Sequence, residues 1–125
     1  LPHPDALLDD ARAMFDALHA DARAAGDDRP PFLLGHSMGG VVAARAATGG
    51  WIAPRGLVLS SPAIVPRLRP VDRIAAAIGA RAAPGLRVPH PLPLDRLSHD
   101  PAVRDAVLSD PHCHDRVTPR LVTFM

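Results

Sequence analysis

The chain has 125 residues and a formal net charge of +1. That is enough for one small domain with a single core, and the charge is too balanced to argue for a nucleic-acid partner. A lone cysteine, Cys113, excludes an internal disulfide and disfavours a cysteine-built metal site, and on that ground we expect a cytoplasmic protein.

The start, Leu1-Pro2-His3-Pro4-Asp5, has no Met, no basic stretch and no apolar stretch, and is not expected to be a signal peptide. We expect it to be a point within a longer protein. From Asp5 to Ala25 the apolar residues Leu7, Leu8, Ala11, Met14, Phe15, Leu18 and Ala22 recur at three- and four-residue spacing. Asp9, Asp10, Arg12, Asp16, Asp21 and Arg23 fill the other side, which predicts an amphipathic helix with one buried stripe. Gly26 suits a left-handed helix end, and Pro30-Pro31 cannot continue the helix. Phe32-Leu33-Leu34 follows as a short, wholly apolar run, which predicts a central strand of a parallel sheet buried on both faces.

Val41 to Ala47 reads as a small-residue helix stopped at Thr48-Gly49-Gly50, and Gly56 to Ser60 as the next buried strand. Helix, strand, helix, strand in this order predicts parallel β-α-β construction and an α/β fold. Beyond Ser61-Pro62 prolines crowd the chain, with one helical stretch near Val71 to Ala82. A second helix is expected from Asp100 to Ser109, capped by Asp100 with Pro101 in its first position. A third is expected across Asp115 to Phe124, interrupted by Pro119, and no strand is expected after Ser60. No apolar run approaches the roughly 18 residues of a membrane span.

Between the first strand and its helix stands Gly35-His36-Ser37-Met38-Gly39, followed by Gly40. A serine hydroxyl is a poor nucleophile unless it is held exposed and a neighbouring base takes its proton. A sharp strand-turn-helix elbow does the holding, by forcing the serine into a strained conformation that only small neighbours permit. Gly35 and Gly39 meet that need, and Gly40 adds room. The Met38 N–H, at a helix N-terminus, is then placed to meet a developing oxyanion. The competing account is a plain turn with Ser37 as a capping residue. A phosphate-cradling loop is disfavoured because no Lys follows the glycines.

The run from Leu34 to Gly40, with Gly56-Leu57-Val58-Leu59-Ser60-Ser61-Pro62 beyond it, resembles the monoacylglycerol lipase and lysophospholipase group of α/β-hydrolases, also labelled serine aminopeptidase-like. Leu97 to Val103 and Asp110-Pro111 look like that group's cap segment. The resemblance implies a partial α/β-hydrolase core over residues 1–61 and an incomplete helical cap over 62–125. It implies Ser37 as nucleophile, the Met38 N–H as an oxyanion donor, and a lipid-like ester as substrate. It also implies that the acid and the histidine of the triad lie beyond Met125, with no metal or cofactor needed. A cap of this kind is expected to make transient contact with a membrane surface.

Other residues invite weaker readings. His36 is expected to serve the elbow's structure, with its ring pointing away from the chemistry. An internal triad such as Asp95 with His99 fails on geometry, because residues four apart on one segment rarely reach a distant serine and orient each other. His99, His112 and His114 with Asp100, Asp110 and Asp115 are read as cap surface. His112-Cys113-His114 has too few ligands for a structural zinc site. Trp51 is read as packing at a helix end, and the apolar stretch from Ala63 to Leu94 as cap packing or an acyl-pocket lining. The function expected is a serine ester hydrolase; the alternative is a non-catalytic remnant of that fold, binding a small apolar ligand or a partner.

Overall fold

The structure, a computed structural model, describes residues 1–64, 69–89, 98–113 and 115–125. The first helix, α1, spans Ala6–Ala24, and Gly26 (φ +91°) closes it in a left-handed turn. The Gly26 N–H donates to Arg23 O at 3.0 Å, and the Asp27 N–H to Ala22 O at 2.9 Å. That pair of bonds satisfies carbonyls the helix would otherwise leave unpaired. In the loop beyond, Arg29 donates twice to the Asp27 carboxylate, at 2.7 Å each. Those bonds hold the Asp27 carboxyl well below the usual carboxylate range.

Strand β1 (Phe32–His36) leads into α2 (Met38–Thr48), and β2 (Gly56–Ser60) lies beside β1. The pairing is parallel, with Phe32 opposite Gly56 and His36 opposite Ser60. This is the β-α-β unit expected from the order of elements. Gly50 (φ +74°) ends α2, with the Trp51 N–H donating to Ala46 O at 2.9 Å. Trp51 packs against the edge of the core.

The core lies between α1 and α2. Leu8 and Phe15 of α1 meet Val41 and Ala46 of α2, together with Ile52 and Phe124. Ala46 is fully enclosed, which is why α2 must be built of small residues on the face it turns to α1. The stripe on α1 is narrower than the periodicity predicts: Met14 and Leu18 are exposed at 69% and 54%. The expectation for the strands is also corrected. Phe32 and Leu34 are 64% and 68% exposed, because α2 covers one face of the two-stranded sheet and the other face is open. An apolar strand records that both faces can be dry, but not how many elements cover them.

Beyond Pro62, α3 spans Pro70–Ala82 and α4 spans Pro101–Ser109. Asp100 caps α4 as expected, accepting from the Ala102 N–H at 2.9 Å with Pro101 in the first position. Two strands the sequence did not signal, β3 (Val88–Pro89) and β4 (Arg116–Val117), pair antiparallel. They are two residues each, too short for any alternation to register. The helix expected across Asp115 to Phe124 therefore begins late, as α5 (Pro119–Phe124), with Thr118 capping it and Pro119 opening it.

This last helix is fastened to distant parts of the chain. Arg45 of α2 donates to the Phe124 carbonyl at 2.6 Å and lies 4.3 Å over its ring. Arg120 donates to the carbonyls of Leu1 and Pro2, each at 2.6 Å. Leu8 is 2% exposed and central to the core. Leu8→Ala is expected to destabilise the fold by about 2–5 kcal/mol in urea unfolding; a loss under about 0.5 kcal/mol would contradict this placement of the core.

Candidate active site

The site is the junction of β1 and α2. Ser37 stands there with φ +51° and ψ −122°, and all its neighbours in the pentapeptide have ordinary negative φ. A non-glycine residue in so sparsely populated a region costs of order 1–3 kcal/mol and persists only where its surroundings over-determine it. As the residue preceding α2, Ser37 could have capped the helix, but its side chain makes no capping bond. The plain-turn account is therefore not what the backbone or the hydroxyl adopts. Among the described residues the Ser37 hydroxyl has no hydrogen-bond partner, and the residue is exposed.

The surroundings that hold Ser37 come from the end of β2. The Ser37 N–H donates to Ser60 O at 3.0 Å, and its carbonyl accepts from the Ala63 N–H at 2.9 Å and from Gly40 N–H at 3.0 Å. The chain reverses at Ser61 (φ +42°) so that Pro62 and Ala63 fold back on the elbow. A further bond joins the side chains of the paired residues: His36 Nδ1 lies 3.0 Å from Ser60 Oγ. The His36 ring thus points to the neighbouring strand.

Glycine is required at two positions, for a measurable reason. A Cβ on Gly35 would stand 2.7 Å from Gly40 Cα and 2.8 Å from Ala43 Cβ, so β1 could not approach α2 as it does. A Cβ on Gly40 would meet Pro62 Cβ at 2.8 Å. At Gly39 a Cβ would meet nothing within 4 Å among the described residues. The tight packing expected at Gly39 falls instead on Gly40, one residue further along, where α2 meets the returning chain.

Met38 is the first residue of α2. The leading N–H groups of a helix have no partner within it, and the Gly40 N–H is turned to Ser37 O. The N–H groups of Met38 and Gly39 remain beside Ser37, at the positive end of the helix dipole.

The remaining sequence candidates lie elsewhere or outside the described residues. No hydrogen bond links His99, His112, Asp100 or Asp110 to Ser37; the two aspartates serve as local caps, to the Ala102 and His112 N–H groups. Asp95, Leu97 and His114 lie outside the described residues, as does part of the Ala63 to Leu94 stretch. Among the described residues no group of three or more His, Cys or Asp side chains could hold a metal. Sequence reasoning assigned no role at the site to Ser60, Ser61, Pro62 and Ala63. The parallel register was the available signal, since it sets the end of β2 beside the elbow.

The pattern of the family described as "Serine aminopeptidase, S33" matches residues 1–125 of the chain. The chain belongs to this family. Two solved structures are similar to it. One is the monoacylglycerol lipase of Paleococcus ferrophilus, 29% identical with a TM-score of 0.73, covering 93% of this chain and 44% of its own. The other is a soluble variant of monoglyceride lipase from Saccharomyces cerevisiae in complex with a substrate analogue. It is 27% identical with a TM-score of 0.73, covering 94% of this chain and 40% of its own. No curated protein matches the chain. The chain therefore spans less than half the length of either lipase.

Gly35→Ala is expected to destabilise by about 1–3 kcal/mol through overpacking against α2. Gly39→Ala, in open space within a helix, is expected to be neutral or to stabilise by up to about 1 kcal/mol. Equal costs at the two positions in urea unfolding would refute this account of the elbow's packing.

Proposed function

We propose that Ser37 is the nucleophile of a carboxylic ester hydrolase acting on lipid-like esters, such as monoacylglycerols or lysophospholipids. The observation that carries the reading is the strained Ser37 backbone with an exposed hydroxyl that caps nothing. A serine held this way presents its Oγ to a substrate carbonyl instead of spending it on the helix. Attack forms a tetrahedral intermediate whose oxygen takes hydrogen bonds from the Met38 N–H and a second donor. Such a preorganised donor contributes about 3 kcal/mol to the barrier reduction. Collapse expels the alcohol and leaves an acyl-enzyme, which water then hydrolyses.

The base that deprotonates Ser37 and the acid that orients it belong, in this proposal, to residues outside these 125. No described histidine is hydrogen-bonded to Ser37, and both lipases extend well beyond the matched region. The 125-residue chain by itself accordingly hydrolyses no ester. Residues 62–125 are assigned to a cap segment anchored to the core through Phe124, and its exposed apolar side chains to the acyl group. The lipid-ester substrate class is supported by the two monoacylglycerol lipases, one of them bound to a substrate analogue. The compartment is proposed to be the cytoplasm, in keeping with the single cysteine; among the described residues no helix is long and apolar enough to cross a membrane.

The test is turnover of p-nitrophenyl esters and a monoacylglycerol by the complete gene product. Ser37→Ala is expected to lower kcat by at least about 10³-fold, as loss of a nucleophile does. Retained turnover in Ser37→Ala would overturn the assignment, as would equal activity of the isolated 125-residue chain for the missing base and acid.

A further inference from the structure

Ser60 engages two consecutive residues of the elbow with two different groups. Its carbonyl accepts the Ser37 N–H at 3.0 Å, and its hydroxyl lies 3.0 Å from His36 Nδ1. His36 and Ser60 are register partners in the parallel pair, so their side chains stand on the same face of the sheet. Two bonds from one residue fix a peptide plane better than one, because rotation of Ser60 would break both. Ser37 is the residue whose strained backbone depends on that plane.

From this geometry we infer that His36 is a positioning residue for Ser37, acting through the Ser60 hydroxyl. The inference rests on Ser37 being the nucleophile. The hydroxyl can donate to an unprotonated Nδ1 or accept from Nδ1–H, so the bond forms in either state of the ring. What the elbow requires is a polar atom at the Nδ1 position, within reach of Oγ, and not a proton-transferring imidazole. Asn carries such an atom at a similar distance from its Cα, whereas Ala carries none. The role differs from that of the missing general base, because the ring faces the neighbouring strand.

The experiment is a double-mutant cycle on the complete gene product, with ester turnover and amide hydrogen exchange at Ser37 as readouts. His36→Ala and Ser60→Ala are each expected to lower kcat about tenfold at unchanged KM, the effect of one lost hydrogen bond. The double variant is expected to lose about tenfold, not a hundredfold, because either change removes the same bond. His36→Asn is expected to restore kcat to near the starting value. Exchange of the Ser37 N–H is expected to speed up about tenfold in both Ala variants, while that of Ala46, in the core, stays unchanged. Multiplicative losses, a His36→Asn variant as slow as His36→Ala, or unchanged Ser37 exchange in a folded His36→Ala would each overturn the positioning role. Failure of the hydrolase reading has a different signature: the unaltered protein turns over no ester, or Ser37→Ala turns it over equally well.

Discussion

The peptide units flanking Ser37 are held by backbone bonds to the end of β2, from the Ser37 N–H to Ser60 O and from the Ala63 N–H to Ser37 O. Those bonds sustain a backbone conformation that a serine would not adopt in isolation. Much of the surrounding architecture follows from them. For Ser60 to reach Ser37, β2 must run parallel to β1 in the observed register. For Ala63 to reach it, the chain must reverse at Ser61. For α2 to start where it does, Gly35 must lack a side chain, and Gly40 must lie against Pro62.

The core serves the same end from the other side of α2. Leu8 and Phe15 press α1 onto a helix of small residues, and Phe124 closes the cluster from near the end of the chain. Arg45 couples α2 to α5 twice over, by a hydrogen bond to the Phe124 carbonyl and by stacking on its ring. The helix that follows Ser37 is therefore packed from Gly40 onward, while Met38 and Gly39 at its start stay exposed. Rigid support with an exposed end is what the reaction proposed for Ser37 requires. The opposite face of the sheet, with Phe32, Leu34 and Val58 exposed, is apolar and uncovered among the described residues.

Local features were legible in the sequence because local physics decides them. Gly26, Gly50 and Asp100 announced helix ends, since left-handed closure and side-chain capping need those residue types. The elbow announced itself through small residues around Ser37. Its mechanical support did not, because the bonds from Ser60 and Ala63 join segments more than twenty positions apart. Met14 and Leu18 misled because a helical period tells which side can be buried, not how wide the neighbour is. Gly39 misled for a related reason: spacing within the motif suggests symmetry, while the packing partner, Pro62, lies over Gly40. The two short strands β3 and β4, and the Arg45 contact with Phe124, leave no periodic trace at all.

The central claim is that the strain and exposure at Ser37 mark a reactive hydroxyl. Treatment of the complete gene product with a fluorophosphonate, followed by peptide mass spectrometry, tests it directly. The account predicts a single stoichiometric adduct on the peptide containing Ser37, with Ser60, Ser61, Ser98 and Ser109 unmodified. A folded protein that takes up no probe, or takes it up on one of the other serines, would contradict it.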